Sequence, residues 1–171
     1  MNGLNINLHH PPAPYKPLTC LQTCHWRHNP LKIRPQHNPL NTITMKIQDM
    51  SIKQGLELKV RVKPGESGDS FAINIGHDRE NIAMHLNPRL DSNTIVFNSL
   101  SGGSWGDEIH ESNFPFRRGE ECKFYINFNN EEFYIKLPDG SMITFPNRLG
   151  DVKYKYFDVS GDARIIGLKL K

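Results

Sequence analysis

A spaced set of polar residues surrounds one tryptophan between His85 and His110. It reads His85-Leu86-Asn87-Pro88-Arg89, then Asn98, then Trp105-Gly106-Asp107-Glu108-Ile109-His110. Side chains alternate between the two faces of a strand, so His85, Asn87 and Arg89 point one way. Glu108 and His110 share a face by the same rule. An exposed indole beside a fixed fan of donors and acceptors suits a sugar. The ring covers a patch of C–H bonds, while the polar groups distinguish hydroxyls. Nothing in the set is arranged to break a bond. Glycoside hydrolysis usually needs two carboxylates about 5 Å or somewhat farther apart. This face offers one, Glu108, beside an arginine that keeps it ionised and therefore a poor acid.

Strands must position these groups, and the chain supplies them. From Met45 onward, Leu56, Leu58, Val60 and Val62 alternate with polar residues, then Phe71, Ile73 and Ile75, then Ile82, Met84 and Leu86. Thr94–Phe97 is a short apolar run. Phe124, Ile126 and Phe128 alternate again, as do Phe133, Ile135 and Leu137, and finally Ile166, Leu168 and Leu170. Turn signals separate them: Pro64-Gly65, Gly102-Gly103, Asn129-Asn130, Pro138-Asp139-Gly140 and Ser160-Gly161-Asp162. Short, half-buried strands at regular spacing predict an all-β, antiparallel two-sheet sandwich. The one helical expectation is a short turn near Leu149–Tyr154.

Residues 1–44 differ in composition from the rest. They contain no Asp or Glu, seven of the twelve prolines, five of the eight histidines and two of the three cysteines. Their basic residues are Lys16, Arg27, Lys32 and Arg34, which leaves 17 basic against 18 acidic residues in the remainder. The basic pI therefore belongs to this extension, and overall charge gives no support to nucleic-acid binding. Recurrent prolines predict a disordered Pro/His-rich extension, with a folded domain over 45–171. Cys20-x3-Cys24-His25-x2-His28 carries zinc-ligand types without the loop-and-helix spacing of a zinc finger, so no metal site is assigned. No apolar run reaches the length of a membrane helix, and Met1–Pro14 lacks the pattern of a signal peptide. Cys122, alone in the folded part, cannot form an internal disulfide framework, which points to a reducing compartment. It reads as an inert, partly buried thiol.

The polar set resembles the carbohydrate-recognition domain of the galectins. The likeness rests on His85-x-Asn87-x-Arg89, Asn98, Trp105-x-x-Glu108 and Phe114-Pro115-Phe116. It continues through Lys136-Leu137-Pro138-Asp139-Gly140 and Phe145-Pro146-Asn147-Arg148-Leu149 to Lys171. Single-domain, prototype members match best in length. The resemblance implies a jelly-roll-like sandwich, calcium-independent binding of β-galactosides without a cofactor, and a noncovalent homodimer that crosslinks glycoconjugates. It implies that His85, Asn87 and Arg89 converge on the axial 4-hydroxyl of galactose, with Arg89 also reaching the ring oxygen. Asn98 and Glu108 would hold the 6-hydroxyl, and Trp105 would lie under the less polar face. Glu108 would also brace Arg89 and touch the neighbouring sugar. Partners would be β-galactoside-terminated glycans and glycoproteins, with no nucleic acid and no membrane insertion. The implied location is the cytosol, with leaderless secretion to the extracellular space.

Two departures stand out. The family commonly has Arg two residues after the motif Glu, where this chain has His110. Histidine is shorter than the rigid arginine fork and mostly neutral above about pH 6.5, so contact with the second sugar should weaken. If His110 reaches the ligand or Glu108, binding should strengthen as the pH falls toward 6. The link Leu90-Asp91-Ser92-Asn93 is short, and the accessory histidine of longer relatives is expected to be absent. Taken singly, His85 reads as a surface-strand histidine, Arg89 with Glu108 as an ion pair of little worth in solvent, and Trp105 as a loop anchor. Asp107 and Glu111 read as a solvated rim. The whole set at this spacing carries the sugar reading; a galectin-related structural protein with weak or lost sugar binding is the alternative. Dimerisation is expected near Lys46–Ile52 and Ile165–Lys171, and residues 1–44, entering at that edge, are expected to weaken it.

Overall fold

A computed structural model describes residues 43–171. The expectations for the Pro/His-rich extension, including Cys20, Cys24, His25 and His28, lie outside the described residues. The first described strand opens at Ile43, two residues before the expected boundary. Fourteen strands follow in chain order: β1 Ile43–Ile47, β2 Ile52–Lys53, β3 Leu58–Pro64, β4 Phe71–Gly76, β5 Ile82–Arg89, β6 Thr94–Ser101 and β7 Ser104–Trp105. Then come β8 Ile109–Glu111, β9 Cys122–Phe128, β10 Glu132–Lys136, β11 Met142–Pro146, β12 Lys153–Tyr154, β13 Tyr156–Gly161 and β14 Ala163–Leu170.

All named pairings are antiparallel. One sheet runs β1-β13-β4-β5-β6-β7, with β8 also pairing β6; the other runs β11-β10-β9-β3-β14; β12 and β2 form a small clasp. The expected all-β sandwich is what the chain forms. Alternation explains the layers. On β3, Leu58, Val60 and Val62 are buried between the sheets while Lys59, Arg61 and Lys63 face outward. β9 repeats this with Cys122, Phe124, Ile126 and Phe128 inside. Aromatic rings fill the centre: Phe116 stacks on Phe124 at 5.4 Å and meets Phe71 edge-on at 6.2 Å, while Phe97 stacks on Phe145 at 5.7 Å. Each such ring contributes about 1.5–3 kcal/mol through burial. Cys122 fits the expectation of an inert thiol: burial pushes its pKa up to about 12, and its Sγ donates to the Val62 carbonyl.

The expected pattern fails in three places. No helical turn forms over Leu149–Tyr154; a turn at Arg148–Leu149 leads to Gly150 at φ 73° and then directly into β12. The left-handed backbone at Gly150 cannot continue a helix. Ile82 does not join Met84 and Leu86 in the core, because a bulge between Ile82 and His85 turns it to the outer face. On β14, a bulge between Ile165 and Gly167 shifts the phase, so Ile165, not Ile166, packs inward with Leu168 and Leu170. One extra residue in a strand exchanges its faces beyond that point.

Candidate functional site

The outer face of the seven-stranded sheet carries a groove of about 660 Å³ across β13, β4, β5 and β6. Six of the seven sequence-predicted residues line it: His85, Asn87, Arg89, Asn98, Trp105 and Glu108. Cross-strand register explains the convergence, since His85 sits opposite Asn98 on β6 and opposite Asn74 on β4. Beyond β6, Gly102 and Gly103 take φ 55° and 78°, forming a two-residue hairpin loop. Two consecutive positive φ angles suit glycine and the natural twist of a hairpin. That loop delivers Trp105 to the groove 53% exposed, with its ring 4.9 Å from the His85 ring. Trp105 is therefore no core anchor. The link Leu90–Asn93 is a tight turn, with Asn93 at φ 51°.

Arg89 is held at both ends. Its Nε donates to Asn87 Oδ1 at 3.0 Å and its Nη2 to Glu108 Oε1 at 3.1 Å. Asn87 is fully buried beneath it and donates Nδ2 to the Phe71 carbonyl at 2.6 Å. Partial burial alone would raise the pKa of Glu108. The hydrogen bond and charge of Arg89, with those of His110, outweigh it and hold the carboxyl below the usual range. His110 is the one predicted residue that does not line the groove. It stands at the rim with Nε2 2.9 Å from Glu108 Oε2.

His85 is half-buried and its pKa is pushed down to about 4, first by burial and then by Arg89, against a smaller opposing pull from Glu108. Its Nδ1 lies 2.6 Å from Asn74 Oδ1, and Asn74 Nδ2 in turn donates to Asp158 Oδ1 at 2.8 Å. A carboxylate can only accept, so Asp158 fixes the Asn74 amide with its oxygen toward the imidazole. The proton then resides on Nδ1, and Nε2 offers a lone pair.

Sequence reasoning missed this supporting layer. Asp158 is 3% exposed and adds a second carboxylate to the groove, correcting the expectation that the face holds only Glu108. Arg148 was also missed as a brace: Nη1 donates to Asn98 Oδ1 at 3.3 Å and Ser99 Oγ at 3.2 Å, and Nη2 to the Asp107 carbonyl at 2.9 Å. Asn98 donates Nδ2 to the Gly106 carbonyl at 2.9 Å, closing the loop behind Trp105. A Cβ at Gly106 would meet Arg148 Nη1 at 2.8 Å, so a larger residue there would push the Arg148 guanidinium out of its present position. Asp107 is exposed and Glu111 half-buried at the rim.

Comparison with known proteins gives a consistent picture. The galactoside-binding lectin family model matches residues 42–170. A β-galactoside-binding lectin of Electrophorus electricus is 45% identical over 126 residues, covering 71% of this chain and 93% of that protein. Human galectin-2 is 39% identical over 127 residues, covering 74% and 96%. Among solved structures, lactose- and MES-liganded congerin II superimposes with a TM-score of 0.72 at 32% identity, covering 74% of this chain and 98% of that one.

Proposed function

The chain belongs to the galectin family of galactoside-binding lectins, and from that premise we propose how its groove holds a β-galactoside. The carrying observation is the Asp158–Asn74–His85 relay beside the clamped Arg89. Neutral His85 accepts from the axial 4-hydroxyl through Nε2. Arg89 donates to the same oxygen and to the ring oxygen, while Asn87 aims Arg89 from below. Asn98 Nδ2 and Glu108 take the 6-hydroxyl, and Trp105 covers the C–H face. Glucose carries its 4-hydroxyl equatorially and would leave these groups unpaired, at a cost of about 1–3 kcal/mol each.

Removing the platform tests this directly. Trp105→Ala should weaken lactose binding by about 10–100-fold, the worth of a stacked aromatic contact, with little change in melting temperature because the ring is exposed. Calorimetry on both proteins, with sucrose as a control, decides it; a variant that binds lactose as tightly as the parent refutes the assignment.

His110 stands against Glu108 where the family commonly has arginine, and its contact with the second sugar should be weaker than an arginine would give. His85 sets a pH profile. Affinity should collapse as the pH falls through about 4, where His85 gains a proton and Nε2 ceases to accept. The fold itself should lose stability between pH 6.5 and about 4, because the unfolded chain protonates this imidazole first. Lactose affinity that persists undiminished below pH 4 would remove His85 from the contact with the 4-hydroxyl.

Binding is calcium-independent and non-enzymatic in this reading. Glu108 is a poor acid, and Asp158 is committed to Asn74. The partners are galactoside-bearing glycoproteins, crosslinked by a homodimer that pairs edge strands β1 and β14, both of which end their sheets. Sedimentation equilibrium of the full chain beside residues 45–171 should show a reversible dimer, weaker in the full chain; a strict monomer of both at high micromolar concentration would end the dimer proposal. In this reading the protein acts in the cytosol and, by export outside the secretory pathway, beyond the cell. Intact chain recovered from medium under secretory blockade would support the second location, and its absence would remove it.

A further inference from the structure

The sandwich face opposite the groove has an unusual charge pattern. Register places Lys59 opposite Lys169 and Lys63 opposite Arg164 across β3 and β14, and Arg61 opposite Lys123 across β3 and β9. All six are on the outward side of the sheet, where like charges directly opposite one another disfavour pairing. Lys136 adds a seventh cation on β10. Among the outward positions of these five strands, Glu132 is the one carboxylate. Glu121, at the head of β9, partly offsets the pattern by taking the Arg61 fork at 2.7 and 2.9 Å. Its carboxyl is held below the usual range by Arg61 first, and Lys123 and Lys59 add to that pull. Folding has gathered these cations on one surface although the described residues are close to neutral overall.

We propose that this face binds a linear, sulfated polysaccharide, separately from the galactoside groove and on the other side of the sandwich. A polyanion relieves the three like-charge pairs at once, and the cations lie along two adjoining strand pairs. The exposed ones are mostly lysines, point charges that suit sulfate without demanding a planar fork. Single-stranded nucleic acid fits less well, because it seeks bare aromatic platforms. Here Tyr125 lies under the Lys59 ammonium at 5.5 Å, and the Tyr134 hydroxyl accepts from Asn129. A second copy of the chain would meet the same charge sign.

The test uses the full chain on immobilised heparin in saturating lactose, eluted by salt. The chain should bind despite the lactose. The triple variant Lys59→Gln, Lys123→Gln and Lys169→Gln should bind at least about tenfold more weakly, with a shallower dependence of affinity on salt, while keeping its lactose affinity. Trp105→Ala should do the reverse and keep the heparin. Release by lactose, undiminished binding of the triple variant, tighter binding to single-stranded DNA than to heparin, or no binding at low salt would each overturn the proposal. An unchanged melting temperature shows that the triple variant is folded, so a failure of galactoside binding in the parent would leave the heparin result readable.

Discussion

Arg89→Ala is expected to weaken lactose binding by about 100-fold or more, the worth of two charge-assisted hydrogen bonds at about 1.5–3 kcal/mol each. The loss exceeds that of a ligand contact alone, because Arg89 also organises its neighbours. Its Nε occupies Asn87 Oδ1 and its Nη2 holds Glu108. Without it, Asn87 keeps a buried oxygen with no donor and Glu108 can swing away from the groove. The fold should survive, since Arg89 lies at the end of β5 and is only partly buried. A melting temperature lowered by a few degrees, with lactose affinity almost gone, is the expected pair of results. Arg89→Lys should rescue little, because a point charge cannot hold Asn87 and Glu108 simultaneously. Calorimetry and thermal melts check both; a loss of less than about tenfold would show that the fork is not the centre of recognition.

Asn147→Ala is expected to be the more damaging change to stability, although Asn147 is not among the residues lining the groove. Asn147 is 5% exposed. Its Nδ2 donates to the carbonyls of Asn129 and Asp151 at 2.8 and 2.9 Å, and its Oδ1 accepts from the Tyr154 hydroxyl at 2.5 Å and from the Gly150 amide at 3.2 Å. Alanine leaves several buried groups unpaired, at about 1–3 kcal/mol each. A total near 3–5 kcal/mol is a large share of the 5–15 kcal/mol typical of a domain, and should lower the melting temperature by roughly 10–20 °C. Lactose affinity should also fall by about 3–10-fold, an indirect effect of the size seen when a supporting hydrogen bond is lost. Arg148 follows Asn147 in the chain and would no longer be aimed at Asn98, Ser99 and Asp107. Denaturant melts and calorimetry read the two effects separately; a melting temperature within 3 °C of the parent, beyond about 1 kcal/mol of loss, would show that this network is dispensable.

Much of the site was legible in the sequence because period-two spacing survives folding. His85, Asn87 and Arg89 share a face for the reason that any i, i+2, i+4 set does, whereas the places of Asn98, Trp105 and Glu108 came from the resemblance to galectins. The layer behind them was not legible. Asn74 and Asp158 meet across β4 and β13 from 84 residues apart, a pairing set by topology rather than local pattern. Tyr156, Asp158 and Ser160 do alternate with Phe157 and Val159, which marks a strand with a polar face, but that alternation does not say that β13 lies beside β4. The bulges in β5 and β14 each invert the phase of a strand, which is why Ile82 and Ile166 were placed on the wrong side. Gly150 and the Asn147 hydrogen bonds likewise outweighed a weak helical tendency at Leu149–Tyr154.

The charge pattern of the opposite sheet illustrates the converse. Lys59, Arg61 and Lys63 alternate plainly along β3, yet their partners Lys123, Arg164 and Lys169 come from two other strands. A neutral sum over the domain therefore concealed a basic face.

The most direct test of the central claim compares two disaccharides that differ only at the non-reducing 4-hydroxyl. Calorimetric titration of the full chain with lactose should give saturable binding, while cellobiose, with the equatorial hydroxyl, should give none at the same concentrations. Equal binding of both would mean that His85 and Arg89 do not read the axial oxygen. Binding of neither by the folded protein would mean that the groove has given up galactosides and that the chain is a sugar-blind member of its family.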